Sequence, residues 1–377
     1  MKVVIAPDSF KESLTAKQVS EAIKLGLSRV WQDAEFVVVP VADGGEGTVQ
    51  SLIDATEGEQ VFVTVKDPCG HDVEALYGIL GDGKTAVIEM AEASGLHLVP
   101  KTQRDPKNTS SFGTGQLILH ALDRGIQRLI IGLGGSATND GGTGMLAALG
   151  VKFLDDSGLP IPLNGGGLVE LASIDTSDLD PRLAGCEVLV ACDVDNPLCG
   201  DTGASAIFGP QKGATPVDVE LLDSALRKYG ELTEQLTGKH VLTQKGAGAA
   251  GGMGAAFVGY LPACLKPGIE IVLDTVKLAE QVEDADIVFT AEGRIDCQTM
   301  YGKTPMGVAK VAKQFDRPVI ALAGCTSDDF QVVYECGIDA VFACMPRVMS
   351  LPEAISEADV NLANLAENVA RLWQLPR

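Results

Sequence analysis

Carboxylates, cations and glycines recur just after apolar runs in this chain, and those are the residues that could do chemistry. Asp43-Gly44-Gly45-Glu46-Gly47-Thr48 follows an apolar run at 37–41. Two acids set apart by glycine at a strand end can hold a divalent cation or accept a proton. They can equally cap the following helix with negative charge. Glu292-Gly293-Arg294-Ile295-Asp296 follows a second run at 287–291, with Gln298, Gly302 and Lys303 just beyond. Arg294 is a planar fork suited to a carboxylate, and the acids suit Mg²⁺ or a hydroxyl proton. The plain alternative is a surface ion pair among them. Asp8-Ser9-Phe10-Lys11 ends a third run at 3–6. It offers a hydroxyl and an ammonium to an anion, or caps the next helix.

Four further stretches share this placement. The loop Gly134-Gly135-Ser136-Ala137-Thr138-Asn139-Asp140-Gly141-Gly142 presents backbone N–H groups and small hydroxyls, as an anion nest does. It fits neither GxGxxG nor GxxxxGK[ST], and a close-packed turn explains it as well. Asp193-Val194-Asp195-Asn196 has the oxygen ligands of a Mg²⁺ held with phosphates, or forms an Asx turn before Pro197. Phe208-Gly209-Pro210-Gln211-Lys212-Gly213-Ala214 offers a lysine on a rigid loop. The run 246–254, with Gly248, Gly251 and Gly252, lets backbone come close to a nucleotide or to another helix. Acids for Mg²⁺, cations for anions and glycine loops for phosphates together fit phosphoryl transfer, which needs chiefly positioning and charge neutralisation.

The bulk composition narrows the classes. The chain has 377 residues and a net charge of −22, so it lacks the basic face that nucleic acid or an anionic membrane requires. Nine cysteines without a CxxC pair, and four scattered histidines, make no zinc pattern and suit a reducing cytoplasm. The uncharged stretch 246–265 is as long as a membrane span, but it is mostly Gly and Ala with Pro262 inside. A packed loop and helix is expected there, not a span.

The elements that must position these residues follow from periodicity. Helices are expected after Thr15, with Gln18 completing a capping box, and over 47–56. From about residue 60 the simple alternation gives way to strands with tight turns, Gly81-Asp82-Gly83 being a hairpin signal. Helices are expected at 114–124, 143–149 and 217–236, and strands at 128–133, 151–154 and 187–192. Alternation resumes after 270, with helices near 273–283, 304–315, 328–336 and 352–373 and strands at 286–290, 318–323 and 339–344. The expected fold is therefore α/β. A five-stranded, flavodoxin-like parallel-sheet domain (1–60 plus 275–377) would carry a second α/β domain (61–274) inserted into it. Asp43 and Asp296 should then meet despite their separation in sequence.

Taken together, APDSFKESL (6–14), VPVADGGEGT (39–48), IEMAEASGL (88–96), GTGQLI (113–118), IGLGGSATNDGG (131–142), ACDVDNPL (191–198), IFGPQKGA (207–214), GAGAAGGMGAA (246–256) and AEGRIDCQTMYGK (291–303) resemble the bacterial glycerate kinases of the glyoxylate and glucarate pathways. The resemblance spans nearly the whole chain in order and spacing. It implies ATP and Mg²⁺, D-glycerate as substrate and 2-phosphoglycerate as product, with the 2- rather than 3-hydroxyl coming from the family alone. The site is then expected in the cleft between the domains. Asp296 would be the base, with Lys11 and Asp43 also catalytic. Ser9, Lys11 and Arg294 would hold glycerate, and Asp43, Asp193 and Glu292 the metal. Gly134, Gly135, Ser136, Lys212, Gly248, Gly251 and Gly252 would face the nucleotide. The expected partners are small molecules alone, in a cytoplasmic monomer or homodimer. The rival class, a nicotinamide-dependent hydroxy-acid dehydrogenase, lacks its GxGxxG after the first strand.

Overall fold

The computed structural model describes residues 1–376. In chain order its strands are β1 (Lys2–Ile5), β2 (Glu35–Val38), β3 (Glu59–Lys66), β4 (Asp72–Ile79), β5 (Thr85–Glu89), β6 (Arg128–Gly132), β7 (Lys152–Leu154), β8 (Ser173–Asp175), β9 (Glu187–Ala191), β10 (Ala263–Lys266), β11 (Ile287–Ile295), β12 (Val319–Thr326) and β13 (Ala340–Ala343). Two compact units divide the chain. One is Met1–Gly58 together with the chain from Gly268 on, and the other is Glu59–Pro267.

The first unit holds a five-stranded sheet in the order β13-β12-β11-β1-β2, every pair parallel. Counted within the unit this is 2-1-3-4-5, the flavodoxin-like order. Its inner strands read as unbroken apolar runs because both faces are buried. Val3, Ile5, Phe289 and Leu322 pack with Ile23 and Leu27 of helix Ala16–Ser28 and with Leu362 and Val369 of helix Ala358–Trp373. Thr15 and Gln18 close the capping box of the first of these helices.

The second unit has a six-stranded mixed sheet, β10-β9-β6-β5-β4-β3. β10, β9, β6 and β5 run parallel, and β4 and β3 turn back antiparallel at one edge. Edge strand β3 alternates, with Val61 and Val65 buried while Phe62 is exposed, as expected where one face meets solvent. β7 and β8 form a separate antiparallel pair. The stretch 246–265 forms helix Ala249–Tyr260 and strand β10. No described helix is long and apolar enough to cross a membrane.

Three expected helices differ. The one near 273–283 is two, Gly268–Thr275 and Leu278–Val282, because Lys277 takes a positive φ of 52° between them. The one near 352–373 breaks at Glu357 into Leu351–Ser356 and Ala358–Trp373. The segment near 328–336 is a 3₁₀ turn, Phe330–Cys336. Apolar spacing continues across each break, so periodicity alone does not reveal it.

Candidate active site

A cavity of about 390 Å³ lies within the first unit, at the carboxyl ends of its strands. The parallel register builds it. Ile5 pairs with Phe289, and beyond the strand the Asp8 N–H donates to the Ala291 carbonyl at 2.8 Å. Asp8 and Glu292 are thereby delivered side by side, where the strand order reverses. From β2 the ladder continues with Val39 and Val41 donating to Ile5 and Pro7, which brings Asp43 to the same end. The start of helix Gly268–Thr275 lies directly on this loop. A Cβ at Gly268 would stand 2.3 Å from the Asp43 carbonyl oxygen.

The cavity is lined by the charged side chains of Asp8, Lys11, Glu12, Asp43, Glu292, Arg294, Asp296 and Lys303. Phe10, Met345, Leu351 and Ile355 add apolar lining. Asp8 accepts from the Ser9 N–H at 2.6 Å and from the Thr304 hydroxyl at 2.6 Å. Glu292 pairs with Lys303 at 2.8 Å and accepts from Thr299 at 3.2 Å. Burial raises the proton affinity of both carboxyls. The Asp43 charge adds to this at Asp8, and the Asp8 charge at Glu292, against the lowering effects of Thr304 and Lys303. A divalent cation would relieve such crowding of like charge. Among the described residues no three His, Cys, Asp or Glu side chains gather as a metal site. Mg²⁺ needs only one or two protein carboxylates beside waters and phosphate oxygens, a number that Asp43 and Glu292 could supply.

A pH dependence follows from Asp8. Its folded pKa lies above the unfolded one, so the fold is favoured while Asp8 is protonated and weakened as pH rises through the raised value. Asp8→Asn keeps an oxygen for Ser9 and gains an amide for Thr304. At pH 7.5 it should melt no lower than the parent and up to a few degrees higher. That difference should narrow as pH falls from the raised value toward about 4 and be nearly gone below it. Activity should drop about tenfold or more, because a charge lining the cavity is gone. Thermal unfolding across pH and a turnover assay check the two halves. A variant that melts well below the parent at pH 7.5 would contradict the burial argument.

The structure brings Ser9, Lys11, Asp43, Glu292, Arg294 and Asp296 to this one cavity. Ser9 donates through both N–H and hydroxyl to Asp8. Lys11 is exposed and forms no ion pair with any described residue. Asp43 accepts from the Gly45 N–H at 3.0 Å. Asp296 accepts from the Gln298 N–H at 2.9 Å and lies 3.4 Å from the Arg294 Nε. Asp193 is exposed after β9, in the other unit, and does not line the cavity. Sequence reasoning passed over Asp8, read only as a cap, and Thr304, whose bond to Asp8 joins residues 296 apart.

In the second unit the loop after β6 is organised by Asp140, which is fully buried. Asp140 accepts from the Ser111 N–H and hydroxyl and from the N–H groups of Gly142 and Gly144. Gly134 and Gly135 are exposed, and a side chain at Gly134 would meet nothing within 4 Å. The other glycines need correcting. Gly248, Gly251 and Gly252 are buried and do not open toward a ligand, because a Cβ would strike the Pro197 carbonyl at 2.3 Å, the Thr138 carbonyl at 2.0 Å and the Gly141 Cα at 2.9 Å. They serve close packing of helix Ala249–Tyr260 on the loop. Lys212 is also buried, 2% exposed, and donates to the Ser136 hydroxyl and the Thr138 carbonyl rather than into open space. Burial pulls its ammonium down to about 7, against the opposing charge of Asp140.

Comparison with known proteins places this arrangement. The sequence profile of the Glycerate kinase family matches residues 3–374. A glycerate kinase of Haemophilus influenzae is 55% identical over 99% of this chain and 98% of its own. The glycerate 2-kinase of Escherichia coli is 53% identical over 98% of this chain and 97% of its own. A crystal structure of a candidate glycerate kinase 2 from Salmonella typhimurium LT2 superposes with a TM-score of 0.93 at 52% identity, covering 99% of this chain and 98% of that one. With a match that runs over essentially its full length, the chain belongs to the glycerate kinase family.

Proposed function

We propose that this protein transfers the γ-phosphoryl group of ATP to the 2-hydroxyl of D-glycerate, giving 2-phosphoglycerate and ADP. The observation that carries the reading is the charged lining of the first unit's cavity. There three cations and five carboxylates converge, in a chain of this family. Arg294 takes the substrate carboxylate as a fork, and Lys11 and Ser9 hold the remaining oxygens. Asp296 accepts the hydroxyl proton as the glycerate oxygen bonds to phosphorus and the bond to the ADP oxygen breaks. Mg²⁺, when bound, would neutralise charge on the phosphates; Asp43 and Glu292 would hold it in the first unit, and Asp193 is the candidate metal ligand of the second unit. Exposed Gly134 and Gly135 receive nucleotide phosphates on backbone N–H groups, with largely buried Ser136 beside them, Lys212 behind them and Gly248, Gly251 and Gly252 packing the loop in place. The reaction runs in the cytoplasm, which the nine free thiols suit. The protein acts on small molecules alone, as a monomer or homodimer.

The test is ADP release by the purified protein with D-glycerate, ATP and Mg²⁺. Turnover above the ATP-only background that disappears with EDTA is expected. Folded protein that releases no ADP above that background, or that instead oxidises NAD(P)H with hydroxypyruvate, would discard the reading.

A further inference from the structure

Lys212 is the one lysine among the fully buried large side chains, and nothing in the reaction as described uses it directly. It ends the turn Pro210–Lys212, and the next residue, Gly213, lies so close to Arg104 that a Cβ would stand 2.2 Å from the Arg104 carbonyl oxygen. The backbone is thus fixed and the side chain runs beneath the loop after β6. Its Nζ donates to the Ser136 hydroxyl oxygen at 2.8 Å and to the Thr138 carbonyl at 2.6 Å. It makes no ion pair with any described residue. Asp140, whose charge it feels, spends its oxygens on Ser111, Gly142 and Gly144.

Two consequences follow from donor and acceptor chemistry. Where Lys212 is protonated, below its lowered value of about 7 or with an anion bound on the loop, it only donates, so the Ser136 oxygen is the acceptor in this pair and its own proton is left for another acceptor. Ser136 is itself 7% exposed and stands next to exposed Gly134 and Gly135. A buried cation without a contacting carboxylate is also costly, and an anion on the loop offsets that cost.

We propose that Lys212 is a positioning residue for the nucleotide: it turns the Ser136 hydroxyl outward as a donor to a phosphate oxygen, and lends the loop positive charge without touching the ligand. This rests on the reading of residues 134–136 as the phosphate loop of a kinase. It departs from the expectation that Lys212 itself meets the phosphates.

The test compares Ser136→Ala, Ser136→Thr, Lys212→Met and the double variant Lys212→Met/Ser136→Ala, with thermal unfolding run on each. Ser136→Ala should raise KM for ATP about tenfold, the size of one lost hydrogen bond to a charged group. KM for D-glycerate should stay within about twofold. Ser136→Thr, which keeps the hydroxyl, should restore the parent value. Lys212→Met should raise KM for ATP at least as much, and the double variant should fall short of the product of the two single effects. An unchanged KM for ATP in Ser136→Ala, or fully multiplicative effects in the double variant, would overturn the proposal. Should Lys212→Met fail to fold, the Ala and Thr variants at 136 still decide, equal values for both counting against it. Failure of the kinase reading shows separately, as a parent protein that releases no ADP. Calorimetric binding of ADP to the same variants then reads the inference, with unweakened binding in Ser136→Ala overturning it.

Discussion

Replacing Asp296 by Asn should lower kcat by about 10²- to 10⁴-fold, the usual contribution of a positioned base, and leave the fold as it is. The structural half of this expectation rests on the cap. Asp296 starts the turn Cys297–Met300 by accepting from the Gln298 N–H, while its own N–H donates to the Thr299 hydroxyl. Asn caps as well as Asp does, so the turn, and with it Thr299 against Glu292, should survive. What is lost is the negative charge that takes the glycerate proton in the proposed reaction. KM for D-glycerate should change less than kcat, because Arg294 keeps its fork and loses only a partner at 3.4 Å. Steady-state kinetics at saturating ATP, with circular dichroism as the control, reads both halves. A kcat within a few-fold of the parent would move the base to another carboxylate of the cavity, Asp8 first.

The second large effect concerns stability. Gly251→Ala should cost about 3 kcal/mol or more, since it adds backbone strain to overpacking. Gly251 has φ of 67° in a run of three left-handed residues from Ala250 to Gly252. A Cβ there would fall 2.0 Å from the Thr138 carbonyl oxygen and 2.7 Å from the Asn139 Cα. Neither atom is the far end of a flexible side chain, so the loop after β6 itself must shift. A fall in melting temperature of about 6–12 °C is expected for a unit of this size. The same Thr138 carbonyl accepts from Lys212, so KM for ATP should rise as well. A melting temperature within about 2 °C of the parent would contradict the packing account.

These variants also mark how much was legible in the sequence. The first unit was readable because buried parallel strands are unbroken apolar runs ending in polar turns. Asp43, Glu292 and Asp296 announce themselves as acids at such ends. Asp8 did not, because an acid just before a helix also reads as a cap, and its partner Thr304 lies far along the chain with no local signal. The glycines at 248, 251 and 252 show the opposite failure. A glycine says that backbone comes close to something, not what that something is, and here it is the Pro197 carbonyl and the loop 138–141. Lys212 is similar: a lysine on a loop reads as exposed until tertiary packing closes over it.

The most direct test of the whole account is the identity of the product. The protein is incubated with D-glycerate, ATP and Mg²⁺, and the product is examined by proton and phosphorus NMR. One phosphorylated product is expected, its phosphorus coupled to the C2 methine proton and formed in step with ADP. Phosphorus coupled to the C3 methylene protons, or ADP formed with no phosphorylated glycerate, would contradict it.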